Sequence, residues 1–178
     1  MINGKCKRIF FVGYMGAGKT TFGRALAKDL NLDFYDLDSY ISSRRHSLIP
    51  QIFEEKGADE FRKIERDLLH EVAWFENVVV SCGGGTPCFF DNIEFMNSQG
   101  ETFYLKTSVE EILKHLQNTR TERPLLKGKS GKELEDFINA QLAEREPFYC
   151  KAKHIIDISD ATSKDKIVDK LIEIKAML

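Results

Sequence analysis

No C-x-x-C pair, no long hydrophobic run, no internal repeat and no low-complexity stretch occurs in these 178 residues. Each absence excludes something. Cys6, Cys82, Cys88 and Cys150 stand singly, three of them in or beside apolar segments. They read as free thiols of a reducing compartment, not as disulfides or zinc ligands. The four histidines are scattered along the chain and do not group as a metal set. No segment is long and apolar enough for a transmembrane helix, and the first residues lead straight into a strand pattern without a signal peptide. No membrane partner and a cytoplasmic location are therefore expected. Charge of one sign is also missing: 26 Lys and Arg meet 28 Asp and Glu, for a net charge of −2. The basic footprint of a nucleic-acid binder is thus not expected. The remaining composition, 42% hydrophobic and 30% charged, is that of a soluble globular chain whose length suits one domain, 1–178. No interface pattern stands out, so a monomer is expected.

Gly13-Tyr14-Met15-Gly16-Ala17-Gly18-Lys19-Thr20 matches G-x-x-x-x-G-K-[ST], the phosphate-binding loop. Arg8-Ile9-Phe10-Phe11-Val12 before it reads as a buried strand. Thr21 to Leu30 after it reads as a helix with Phe22, Ala25, Leu26 and Ala27 to one side. Strand, glycine loop and helix form the context that confirms the motif. Main-chain N–H groups and the positive end of the helix dipole would face an anion there. Lys19 can reach the β- and γ-phosphates, and the Thr20 hydroxyl can ligate Mg²⁺. The motif implies binding of a nucleoside triphosphate. The competing reading, a tight turn with an incidental lysine, has the local pattern against it.

Strand patterns fall at 7–12, 33–36, 77–82, 101–106 and 154–158. Helical patterns separate them at about 19–30, 58–75, 89–98, 108–118, 130–146 and 163–177. The alternation predicts an α/β fold, a parallel sheet covered by helices on both faces, with ligand at the carboxyl ends of the strands. Ser39 to Trp74 is long for one crossover, and should hold two or three short helices and a turn at Glu55-Lys56-Gly57-Ala58-Asp59. Residues 117–131 are polar, basic and punctuated by Gly and Pro. That composition suits a plain surface loop or, in a nucleotide enzyme, a lid carrying Arg120 and Arg123.

Further residues add chemistry to the phosphate loop. Asp36 and Asp38 form D-x-D at the end of the second strand, where a period of two puts both carboxylates on one side. Phosphoryl transfer uses one carboxylate near Mg²⁺ and one near the acceptor hydroxyl. The plainer alternative is a solvated strand end with Asp38 capping a helix from Ser39. Gly83-Gly84-Gly85 after the third strand permit close main-chain approach to a ligand, or simply a flexible turn. Arg62 has Glu65 three residues on, positioned to brace it on a helix. Arg145 precedes Pro147 and two aromatics, which mark a helix end. Surface arginines are common, but together these two could clamp an anionic acceptor such as a carboxylate.

In order and spacing these pieces resemble the shikimate kinases over about residues 8–158. The likeness is carried by Gly13 to Thr20, Phe34-Tyr35-Asp36-Leu37-Asp38, Ile52-Phe53 with Gly57, Glu60-Phe61-Arg62 and Glu65. It continues through Gly83-Gly84-Gly85, Arg123-Pro124-Leu125-Leu126 and Arg145-Glu146-Pro147-Phe148-Tyr149. The resemblance implies a three-layer α/β/α fold around a central five-stranded parallel sheet, of the P-loop nucleoside monophosphate kinase type. It implies phosphorylation of the 3-hydroxyl of shikimate by ATP with Mg²⁺. By position, Gly16, Ala17, Gly18, Lys19, Thr20 and Thr21 would wrap the phosphates, and Thr20 and Asp36 would hold Mg²⁺. Asp38 would bind the acceptor and act as base. Arg62 and Arg145 would pair with the shikimate carboxylate, Gly84 would bind substrate through its main chain, and Phe53 and Phe61 would wall the ring. Lys19 and Arg123 would serve the transferring phosphoryl group, with a substrate-binding segment near 38–66 and a lid near 117–131. Many relatives carry a further arginine early in the lid, near the adenine. Here the region reads His115-Leu116-Gln117, so the resemblance assigns no adenine contact.

Two other readings remain open on sequence. One is another small-molecule kinase of this fold, acting on gluconate or a nucleoside monophosphate. The other is a nucleotide-dependent switch without a small acceptor, which the full set of acceptor residues opposes.

Overall fold

The computed structural model describes residues 7–118, 130–161 and 163–178. Five strands, β1 (Arg8–Val12), β2 (Asp33–Asp36), β3 (Val78–Ser81), β4 (Glu101–Lys106) and β5 (His154–Asp157), form one parallel sheet in the order β2-β3-β1-β4-β5. They fall within a residue or two of the sequence patterns. For β1 and β3 the reason is burial on both faces, which makes central parallel strands read as near-continuous apolar runs. Within β1 the alternation still sorts side chains. Phe10 and Val12 enter one core, while Ile9 and Phe11 enter the other.

The helices complete three layers. α1 (Lys19–Leu30) and α7 (Lys164–Ala176) bury Phe22, Leu26, Leu171 and Ile174 against Ile9, Phe11 and Phe103. The opposite face takes α2 (Leu37–Arg45), α3 (Ile49–Ala73), α4 (Asn92–Gln99), α5 (Val109–Asn118) and α6 (Gly131–Tyr149). Among the described residues no helix is long and apolar enough to cross a membrane.

Three boundaries differ from the sequence reading. The turn expected at 55–59 is a kink inside α3 at Gly57, whose φ of 79° departs from helical geometry while helix continues on both sides. The helix expected from 89 begins at Asn92, after a short 3₁₀ turn at Thr86–Cys88. The helix expected to end at 146 runs through Pro147 to Tyr149. Pro147 forfeits one helical hydrogen bond near the end of α6. The continued helix places Tyr149 fully inside the core, so packing outweighs the local stop signal.

The topology also locates the site. β1 and β3 are neighbours. The chain leaves β1 for α1 on one face and leaves β3 for α4 on the other. Connections that diverge from adjacent strands open a crevice at their carboxyl ends.

Candidate active site

The loop between β1 and α1 owes its shape to its glycines. Gly13 has φ 139°, and a Cβ there would lie 2.8 Å from the Leu105 carbonyl oxygen. Gly18 caps α1 with φ 73°. Both conformations are unfavourable for a side chain. No acidic residue occupies the first turn of α1, so the helix's free N–H groups and positive dipole end stay available to an anion. Lys19 is buried along its stem, and its ammonium donates to the Gly13 carbonyl at 2.8 Å and the Tyr14 carbonyl at 2.7 Å. The loop therefore curls around its own cation.

Across from Lys19 lies a cluster of oxygen donors. The Thr20 hydroxyl donates to Asp36 Oδ2 at 2.9 Å and lies 3.5 Å from Ser81 Oγ. Asp36 Oδ1 accepts the Ser39 N–H at 3.1 Å and so caps α2. This corrects the strand reading of D-x-D. β2 ends at Asp36, the cap is Asp36 and not Asp38, and α2 starts at Leu37. Asp38 sits in the first helical turn, yet both carboxylates still face the cleft. Surrounding protein pushes the Asp38 carboxyl up to about 6, and the like charges of Asp36 and Glu65 add to this. Lys19 and Arg62 act in the opposite sense. Water still reaches Asp38 from the open side.

The third component is the glycine loop after β3. A Cβ on Gly83 would lie 2.8 Å from Asp38 Oδ1 and 3.1 Å from Thr86 Oγ1. A Cβ on Gly84 would lie 3.7 Å from Arg145 Nη1. The Gly84 carbonyl accepts the Tyr149 hydroxyl at 2.6 Å, which ties the loop to the end of α6. Arg62 donates from Nη1 to Glu65 Oε2 at 2.5 Å, as the i, i+3 spacing predicts. Phe53 and Phe61 stack with ring centroids 4.2 Å apart.

The phosphate loop, Asp36, Asp38 and the Ser81–Gly84 stretch line a cleft of about 520 Å³, while Arg62, Arg145, Phe53 and Phe61 are not among its lining residues. Gly16, Gly18, Lys19, Thr20 and Thr21 line one side, and Asp36, Asp38 and Gly84 line the other. Ala17 is buried behind the loop. Arg62 and Arg145 come against the glycine loop at Gly85 and Gly84. Arg123, Arg120 and most of the 117–131 stretch lie outside the described residues. Beside the cleft, beyond His115, is a second hollow of about 160 Å³ with Phe22, Ile158 and Ile167 in its wall.

Several residues at the site were not singled out from sequence. Ser81 stands just before the glycines, a position that could have suggested it. Tyr14 carries Arg145 5.7 Å above its ring and donates to Gln141 at 2.8 Å. His115 Nδ1 lies 2.7 Å from the Gly16 carbonyl. Thr86, Phe89 and Tyr149 also belong here. Their contacts have no local sequence signal, because each acts through a partner distant in the chain. Among the described residues no group of three or more His, Cys, Asp and Glu is placed to hold a metal. Burial raises the thiols of Cys82 and Cys88, the latter to about 11, so neither is poised as a nucleophile. Cys150 is exposed.

Comparison with known proteins identifies the family. The shikimate kinase family model matches residues 15–175. The shikimate kinase of Parabacteroides distasonis is 55% identical over 163 residues, covering 92% of this chain and 94% of its own. The crystal structure of the Bacteroides thetaiotaomicron shikimate kinase superposes with a TM-score of 0.94 at 44% identity, covering 97% of this chain and 98% of its own. The Acinetobacter baumannii shikimate kinase in complex with shikimate gives a TM-score of 0.84 at 33% identity, covering 97% and 93%.

Proposed function

The chain belongs to the shikimate kinase family, and from that premise we propose how its residues carry the family's reaction. The enzyme transfers the γ-phosphate of ATP to the 3-hydroxyl of shikimate, giving shikimate 3-phosphate and ADP. The observation that carries this reading is the cleft itself. A phosphate loop with Lys19 faces the Asp38 carboxyl, raised to about 6 mainly by burial, with two arginines at the adjoining glycine loop.

In this reading Gly16, Ala17, Gly18, Lys19, Thr20 and Thr21 hold the nucleotide phosphates. The apolar hollow beyond His115 suits the nucleobase. The Thr20 hydroxyl and the Asp36 carboxylate, 2.9 Å apart, are hard oxygen donors of the kind Mg²⁺ accepts while keeping most of its shell in water and phosphate. When bound, Mg²⁺ supplies charge neutralisation at the β- and γ-oxygens. Arg62 and Arg145 pair with the shikimate carboxylate, Gly84 contributes its main chain, and Phe53 and Phe61 wall the ring. Asp38 orients the 3-hydroxyl and accepts its proton as that oxygen bonds to the γ-phosphorus. The bond between the γ-phosphorus and the bridging oxygen breaks, and ADP leaves. A carboxyl near pH 6 is ionised at neutral pH yet more basic than an ordinary aspartate, which suits this step. Lys19 counters charge on the transferring group. Arg123 is assigned to the same task on sequence alone, as are the 117–131 lid and the 38–66 acceptor segment of a single kinase domain. We also read the enzyme as a cytoplasmic monomer.

ADP release from ATP and Mg²⁺, with and without shikimate, tests the activity. Stimulation by shikimate alone, with one phosphorylated product, is expected. Stimulation by gluconate or a nucleoside monophosphate instead would overturn the acceptor, and none by any of them would restore the switch reading.

A further inference from the structure

Arg62 is held by more than its ion pair. Its guanidinium carbon lies 4.0 Å from the centroid of Phe89 and 5.2 Å from that of Phe61. Phe61 is buried and itself stacked on Phe53, but Phe89 is 41% exposed, so burial does not account for an aromatic there. The carboxylate that Arg62 meets, Glu65, is 1% exposed. Its second oxygen accepts the hydroxyl of the fully buried Thr86 at 2.7 Å. The Thr86 carbonyl in turn accepts from the Asn92 amide at 2.8 Å. The main chain of Gly85 closes another side, since a Cβ there would lie 2.6 Å from Arg62 Nη2. An arginine on a flexible stem is thus restrained by a ring, a fixed carboxylate and a bare glycine.

We propose that Phe89 and Thr86 are positioning residues for acceptor binding. Phe89 rests on the guanidinium, and Thr86 orients Glu65, so that Arg62 presents its fork to the acceptor carboxylate in one orientation. Cation–π contact favours the stacked arrangement, and the charged hydrogen bond to Glu65 fixes its rotation. An arginine ordered in advance loses less freedom when substrate binds. The inference rests on the reading that Arg62 binds the shikimate carboxylate. Its signature is on the shikimate KM, because such contacts stabilise bound substrate and transition state alike.

Initial-rate kinetics with ATP, Mg²⁺ and shikimate test it on Phe89→Leu, Phe89→Tyr, Thr86→Val, Thr86→Ser, Gly85→Ala and Arg62→Lys. Phe89→Leu, Thr86→Val and Gly85→Ala are expected to raise the shikimate KM about fivefold to tenfold. Their kcat and ATP KM should stay within about twofold. Phe89→Tyr and Thr86→Ser should restore the parent KM, since the first keeps the ring face and the second the hydroxyl. If Thr86→Val does not fold, Phe89→Leu and Gly85→Ala decide the matter. Phe89 is partly exposed, and φ of −90° at Gly85 suits alanine, so only the guanidinium must move. A shikimate KM unchanged in Phe89→Leu and Gly85→Ala, but raised in Arg62→Lys, overturns the clamp and leaves Arg62 in its role. An unchanged KM in Arg62→Lys as well removes both readings. A parallel rise in ATP KM would mark a merely structural effect and also overturn it.

Discussion

The two sides of the cleft are built in different ways. The side proposed for the phosphates is one continuous stretch, Gly13 to Thr21, which would act chiefly through main-chain N–H groups and one lysine. The acceptor side is gathered from α2, α3, the glycine loop after β3 and the end of α6. Tyr149 reaches Gly84 across 65 positions of sequence. A phosphate is met by a cradle that any chain can form locally once its glycines allow the turn. A ring with one carboxylate and several hydroxyls needs charges aimed from several directions, which no single loop supplies. The acceptor side should therefore be the more divisible of the two, losing affinity in parts where the phosphate side fails as a unit.

The largest expected break is on the phosphate side. Lys19→Ala should lower kcat by about 10³ or more in the coupled ADP assay, as loss of a preorganised charge at the transferring group does. A near-normal kcat would deny that side its unity. Next, Asp38→Asn should lower kcat by about 10² to 10³ by removing the base, while calorimetry finds ATP affinity little changed. An equal loss of ATP affinity would move Asp38 to the phosphate side.

The pH profile sharpens the same distinction. With Asp38 near 6, kcat/KM for shikimate should rise with pH up to about 6 and then level. About a tenfold loss follows for each unit below that point. The sign for stability is opposite. The folded carboxyl holds its proton to higher pH than the unfolded one, near 3.8, so its contribution favours the fold at low pH and is lost as pH rises through 6. Asp38→Asn should therefore raise Tm more at pH 7 than at pH 4. Equal Tm changes at both would mean Asp38 carries no such strain.

The smallest effect concerns the tie between α6 and the glycine loop. Tyr149→Phe removes the hydroxyl that bonds Gly84 at 2.6 Å. It should cost about 1 kcal/mol, or about 2–4 °C in Tm for a chain of this size. The shikimate KM should rise modestly while the ATP KM holds. A shift in the ATP KM would show that the two sides share this support.

Much of the fold was legible because its signals are local. Buried parallel strands such as Val78-Val79-Val80 are continuous apolar runs, and the glycine positions of the phosphate loop admit few alternatives. The Arg62–Glu65 pair was legible because helical spacing alone brings the two together. Asp36 and Asp38 were legible as a pair but not in their setting. A strand end and a first helical turn look alike over three residues, so even the alternative capping reading pointed to Asp38 where the cap is Asp36. Pro147 read as a stop, because nothing local records that Tyr149 is wanted in the core.

The sequence by itself determined the strands, the helix after the phosphate loop and, through the order of its motifs, the family, since each rests on local patterns or on their succession along the chain. Only the tertiary structure decided how Arg62 is held, what Thr86 and Phe89 touch, which aspartate caps α2, and where α6 ends. Those outcomes depend on side chains meeting across the core, where packing and desolvation act between partners that the chain order keeps apart.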